Sequence, residues 1–290
     1  MEPAAQHLRW RLEVPEGAEA PLEAWLLAQG STATYREADP PCAFYAYFPP
    51  GLRPDPGRLE GFPSIRLLDV ESFDDQDWIA KSREGFGCLE VGRRFHIRPT
   101  WEDGSGPQGR VSIRVNPGLA FGTGGHETTR LCMGMLESLA EEGKLAEPIL
   151  DVGSGTGILA LAAHLLGAEN ILAFDLDPDC GPAMAELIAD NRDILRHSRP
   201  FEAFIGTLED PRVEAGKPYG TLLANILLVT IRELLPRLGG LAAPGALLVA
   251  SGILAEQEDE ALLTLASGGF TPRAIAREGD WIALLGERGS

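Results

Sequence analysis

Between Leu8 and Val14 apolar and charged residues alternate as Leu-Arg-Trp-Arg-Leu-Glu-Val, the two-residue period of a strand with one buried face. At Pro21–Gln29 the period becomes helical, with Pro21 in the first turn, Leu22, Trp25 and Leu26 on one side and Gly30 as the stop. Strand-like runs at Ala33–Glu37, Ala43–Phe48 and Ser64–Val70, with a weak helical segment near Arg58–Gly61, complete the order βαββαβ. That order predicts a small ferredoxin-like α+β module over residues 1–72. Glu71–Cys88 opens acidic and turns polar, which predicts a connector and a linker at 73–90.

Arg93–Pro99 and Gly109–Val115 predict strands flanking a Gly- and Pro-rich turn. From Glu127 onward amphipathic helices alternate with short apolar strands, as a doubly wound α/β fold requires. The predicted strands are Pro148–Val152, Asn170–Phe174, Phe201–Ile205, Thr221–Asn225, Ala246–Ser251, Thr271–Ala276 and Trp281–Leu285. Between them fall helices at Glu127–Glu141, Ile158–Leu166, Pro182–Arg192, Leu228–Leu235 and Glu256–Ser267. The last two strands leave no room for a helix, so they predict an antiparallel hairpin turned at Glu278-Gly279-Asp280. The expected fold class is therefore α/β, with a Rossmann-like domain over 91–290 ending in an antiparallel hairpin and preceded by the α+β module.

Composition narrows the partners more than the fold. Of 290 residues 44% are hydrophobic, enough for a sizeable core, and 25 Lys plus Arg face 43 Asp plus Glu for a net charge of −18. That field repels phosphate backbones and predicts no direct nucleic-acid binding. It leaves open whether the acidity serves a basic partner or only solubility. Cys42, Cys88, Cys132 and Cys180 stand more than forty residues apart with no clustered His, so no metal site is expected. Met1–Trp10 carries no basic-then-apolar leader, and no apolar run is long enough for a membrane span. These features predict a cytoplasmic protein with free thiols and no membrane partner.

Ile149 to Ala160 reads as apolar strand, glycine turn and apolar helix, with glycines at 153, 155 and 157. A dinucleotide fingerprint places its third glycine at 158, which is Ile158, so the spacing is G-x-G-x-G instead. With Asp151 two residues ahead, it resembles the first motif of class I methyltransferases that use S-adenosylmethionine. Asp175 follows the next strand about twenty residues after Gly155, where a carboxylate can accept hydrogen bonds from both hydroxyls of a ribose. Asn225 ends a third apolar strand, at the sheet edge where α/β folds bind ligands; a plain helix cap is the alternative. Asn116 to Thr129 (Asn-Pro-Gly-Leu-Ala-Phe-Gly-Thr-Gly-Gly-His-Glu-Thr-Thr) forms a glycine-rich loop that can fold over a ligand. His126 within it is a candidate base or a structural hydrogen-bonder.

Together these elements resemble the ribosomal protein L11 methyltransferase family (PrmA). The resemblance rests on the loop at 116–129, L-D-V-G-S-G-T-G-I-L-A at 150–160, F-D-L-D-P at 174–178, A-N-I-L at 224–227 and S-G-I-L at 251–254. It reaches more weakly to Asp77-Trp78 and to 92–101. It implies S-adenosylmethionine as methyl donor and a protein-lysine N-methyltransferase acting on lysine side-chain or N-terminal amines of a large-subunit ribosomal protein, with the first module gripping that substrate. Its implied donor contacts fall on Phe121, Gly122, Thr123, Thr129, Asp151, Gly153, Gly155, Asp175 and Asn225, with Asn225 also the catalytic candidate. Gly125 and Glu127 replace a Thr and a Pro usual in the family's loop. Alternatives are methylation of another basic protein, a small amine or RNA, and a noncatalytic S-adenosylmethionine-binding protein.

Overall fold

The computed structural model describes residues 7–15, 17–31, 33–36, 43–73, 87–104, 106–116, 122–196 and 200–289. Contacts divide the chain into two units, one of residues 1–86 with 117–121 and one of 87–116 with 122–290.

The first unit runs β1 (His7–Glu13), α1 (Glu19–Ala28), β2 (Ala33–Arg36), β3 (Ala43–Phe48), a 3₁₀ turn at Pro56–Gly61 and β4 (Arg66–Phe73). Its sheet order is β2-β3-β1-β4 with every pairing antiparallel, the ferredoxin-like arrangement. The alternation in β1 decides the facing: Leu8, Trp10 and Leu12 are buried with Leu22 and Leu26 of α1, and Trp10 meets Phe48 edge-on at 5.1 Å. The weak second helix is only a 3₁₀ turn, started by Pro56 and capped by Asp55 Oδ1 on the Gly57 N–H at 2.9 Å. Strand β4 extends into the acidic stretch because Arg9 of the neighbouring strand pairs Glu71 at 2.6 Å.

In the second unit β5 (Leu89–Val91), β6 (Phe95–Pro99) and β7 (Val111–Val115) form a small sheet. Strand β5 begins in the last two residues of the expected linker, 73–90, and ends in the following domain. Strands β6 and β7 pair in parallel, so the Gly- and Pro-rich segment between them is a crossover rather than a hairpin. Two buried polar side chains anchor this sheet. Glu137 accepts the backbone N–H groups of Arg93 and Arg94, both at 2.8 Å, and Asn191 exchanges hydrogen bonds with the N–H and C=O of Arg114 at 2.8 and 2.7 Å.

The main body follows as α2 (Glu127–Glu141), β8 (Ile149–Val152), α3 (Ile158–Leu166), β9 (Ile171–Asp175), α4 (Cys180–Asp190), β10 (Glu202–Ile205) and α5 (Pro211–Gly216). It ends with β11 (Tyr219–Asn225), α6 (Leu228–Leu241), β12 (Ala242–Leu254), α7 (Glu258–Ser267), β13 (Phe270–Glu278) and β14 (Trp281–Arg288). The sheet order is β10-β9-β8-β11-β12-β14-β13. Strands β8 to β12 are parallel, and β14 runs antiparallel to β12 and β13. The predicted hairpin is present, closed by the Glu278–Trp281 pair with Gly279 at φ 55°. Helix α6 continues beyond Leu235 through Pro236 because Leu238 and Leu241 are buried in the core. Strand order reverses between β8 and β11, so the crevice at their carboxyl ends is where such folds bind ligands. No described helix is long and apolar enough to cross a membrane. Cys88 is a free thiol at the surface, and Cys132 and Cys180 are free and buried; Cys42 lies outside the described residues.

Candidate active site

The turn from β8 into α3 needs its glycines. Gly153, Gly155 and Gly157 have φ of 66°, 55° and 82°, a region that L side chains rarely adopt. A Cβ at Gly153 would stand 2.5 Å from Ile226 Cγ2. Gly157 is the N-cap of helix α3 and brings no capping side chain of its own. Asp151 supports the turn from inside: it is 1% exposed, and its Oδ2 accepts the Ala160 N–H at 3.2 Å. Its Oδ1 has no partner among the described residues. Burial pushes this carboxyl up to about 7, against the Ala160 hydrogen bond and helped by the charge of Asp175.

Asp175 stands at the end of β9, at the lip of the turn. Its Oδ2 accepts the Gly155 N–H at 2.8 Å and its Oδ1 the Asp177 N–H at 3.0 Å. The carboxylate is thus fixed in direction, and each oxygen retains a lone pair for a vicinal diol. Ile205 of β10 is in register with Asp175, and Leu176 follows it. These two side chains are 38% and 67% exposed, apolar where a strand end is normally polar. Sequence reasoning missed both, although the apolar residue directly after the acid is the signal.

Asn225 closes β11. Helix α6 takes Leu227 as its N-cap, so Asn225 is not a helix cap. Its Nδ2 donates to Thr129 Oγ1 at 3.3 Å, and its buried Oδ1 has no partner among the described residues. The next residue is wedged in place: the Ile226 N–H donates to Ser251 O at 3.2 Å, and a Cβ at Gly252 (φ 81°) would stand 2.4 Å from Ile226 O. The Ser251-Gly252 element therefore holds the backbone that carries Asn225.

The loop is described from Gly122. Phe121 and residues 117–120 lie outside the described residues, as do Asp77 and Trp78. Thr156 Oγ1 donates to Gly122 O at 2.5 Å, fastening the loop to the glycine turn. Gly124 packs so close to Ile97 that a Cβ would come within 2.1 Å of its Cδ1, and half-buried Thr123 sits between these anchors. His126 caps α2, its Nδ1 accepting the Thr128 N–H at 3.2 Å, and its ring meets Trp281 edge-on at 5.0 Å. That geometry gives His126 a structural role. Contacts tie Gly122 to Thr156, Gly155 to Asp175, Thr129 to Asn225 and Gly153 to Ile226, so these residues gather at the carboxyl ends of β8, β9 and β11, with Asp151 beneath the turn.

The sequence profile of a family described as ribosomal protein L11 methyltransferase (PrmA) matches residues 60–289. The chain is 36% identical over 230 residues to the ribosomal protein L11 methyltransferase of Pelobacter propionicus, covering 78% of this chain and 71% of that one. It is 39% identical over 234 residues to the ribosomal protein L11 methyltransferase of Trichlorobacter lovleyi, covering 78% and 72%. A crystal structure of ribosomal protein L11 methylase from Lactobacillus delbrueckii subsp. bulgaricus is similar at a TM-score of 0.59 and 31% identity, covering 71% of this chain and 100% of that one.

Proposed function

The chain belongs to the ribosomal protein L11 methyltransferase family, and from that membership we propose that it transfers methyl groups from S-adenosylmethionine to lysine side-chain or N-terminal amines of ribosomal protein L11. The observation that carries this reading is the buried Asn225 Oδ1, which has no partner among the described residues and sits at the strand end beside the glycine turn that Asp175 braces. A buried carbonyl oxygen without a donor is costly, and a substrate amine supplies one.

The residues fit the donor. Asp175 would hold the ribose hydroxyls, Gly153 and Gly155 would let the backbone approach, and Leu176 and Ile205 would flank a flat base. Gly122 and Thr123 would cover it, and Thr129 would steady Asn225. S-adenosylmethionine, when bound, supplies an electrophilic methyl group on a positively charged sulfur. The chain's own task is to present an unprotonated nitrogen in line with it. A free lysine has a pKa near 10.4, so deprotonation at pH 7 costs about 4 to 5 kcal/mol. Desolvation in the crevice lowers that cost, and Asn225 Oδ1 accepts one N–H while leaving the nitrogen lone pair free. No side-chain base is needed, in keeping with the capping role of His126.

In this reading residues 1–72 form the module that recognises the ribosomal protein, and the enzyme works in the cytoplasm. The charge of −18 favours a basic protein substrate over RNA. Incubation with labelled S-adenosylmethionine and large ribosomal subunits tests this: the label should resist nuclease and be released by protease. Label lost to nuclease contradicts it.

A further inference from the structure

Arg130 makes more contacts than a residue in the first turn of a helix requires. Its Nε and one terminal nitrogen reach Glu278 Oε1 at 2.8 and 2.7 Å, and that nitrogen also lies 3.1 Å from Glu127 Oε1. Its other terminal nitrogen donates to the Gly125 carbonyl. The side chain is only 19% exposed. One guanidinium therefore joins three places: the glycine-rich segment, the start of α2 and the end of β13, 148 residues away in sequence. The rings of His126 and Trp281 add an apolar contact beside it. At its other end the segment is tied by Thr156 Oγ1 to Gly122 O. Gly125 and Glu127, on either side of His126, are both partners of Arg130.

We propose that Arg130, with Glu278 as its counter-charge, is a positioning residue that holds segment 122–126 over the donor crevice and so sets how fast the donor leaves. The inference rests on the donor site described above. A planar guanidinium suits this role because it directs several donors at once, whereas a lysine ammonium is a single point charge on a flexible stem. The ion pair is partly buried and belongs to a network, so it is screened less than an isolated surface pair.

Rapid-filtration release of labelled S-adenosylmethionine from the full chain, chased with unlabelled compound, tests the proposal. Glu278→Gln and Arg130→Met should each speed release by about tenfold, equivalent to about 1.4 kcal/mol, with little change in association rate. Arg130→Lys should fall between them and the unaltered chain. Glu287→Gln, which breaks the exposed 2.7 Å pair with Arg273 elsewhere in the same hairpin, should leave release unchanged. A lowered melting temperature with unaltered release would reduce Arg130 to a structural role and overturn the proposal. Should Arg130→Met fail to fold, Glu278→Gln decides, since it removes only a half-exposed charge. An unaltered chain that binds no labelled donor overturns the functional reading itself.

Discussion

Asn225 Nδ2 lies 3.3 Å from Thr129 Oγ1, so a strand end and a helix start 96 residues apart in sequence meet at one hydrogen bond. It fixes the carboxamide, whose Oδ1 has no partner among the described residues and is where the proposal places the substrate amine. Asn225→Ala should lower kcat by about a hundredfold, the scale of losing one hydrogen-bonding group that orients a reacting centre, while donor affinity changes far less. Thr129→Val should lower kcat by about tenfold by freeing the amide. Steady-state kinetics with purified L11 and calorimetry of donor binding separate the two effects.

Asp175 is aimed by the Gly155 N–H at 2.8 Å, so its substitution removes both the proposed ribose contact and a support of the turn. Asp175→Ala should abolish measurable donor binding by calorimetry. Asp175→Asn should weaken it by about 2 kcal/mol, the worth of hydrogen bonds to a charged group. Unchanged affinity in either variant would remove the ribose assignment.

The Asp151 carboxyl, raised by burial to about 7, gives the apo protein a pH signature. Its folded value lies above its unfolded one, so the stability it contributes is fully present below about pH 4 and lost as pH rises to about 7. Asp151→Asn keeps an acceptor for the Ala160 N–H without the buried charge. The melting temperature of this variant relative to the unaltered chain should therefore rise between about pH 4 and 7 and level off above, for an effect on the order of 4 kcal/mol at most. A pH-independent difference would contradict the burial of an ionising carboxyl.

Gly252→Ala places a methyl group 2.4 Å from the Ile226 carbonyl oxygen in a left-handed backbone. Denaturant unfolding should show a loss of about 3 kcal/mol, from overpacking and backbone strain together. Gly134→Ala, where a Cβ meets nothing within 4 Å, is the matched control and should cost nothing.

Local signals made much of this legible in the sequence. Helices α2 and α3 begin and end where the apolar period places them, because a capping His126 and a stopping Gly167 mark their boundaries. The spacing of Gly153, Gly155 and Asp175 located the turn and the acid that it aims. What stayed hidden depends on contacts far along the chain. The parallel pairing of β6 with β7 is fixed by Asn191 and Glu137, which no window around residue 100 contains. Asp151 was expected to be a donor contact, yet only the packing of Ala160 above it shows that its carboxylate points inward. Arg130 carries no local signal because its partner Glu278 lies in the last hairpin. Strand β5 and helix α5 span three and six residues, too few for a period to register.

Mass spectrometry of purified L11 after incubation with this protein and S-adenosylmethionine tests the central claim most directly. The account predicts methyl-group mass increments on lysine or N-terminal amines of L11, sharply reduced when Asn225→Ala replaces the unaltered enzyme. Unmodified L11 in a reaction whose enzyme binds the donor would contradict it.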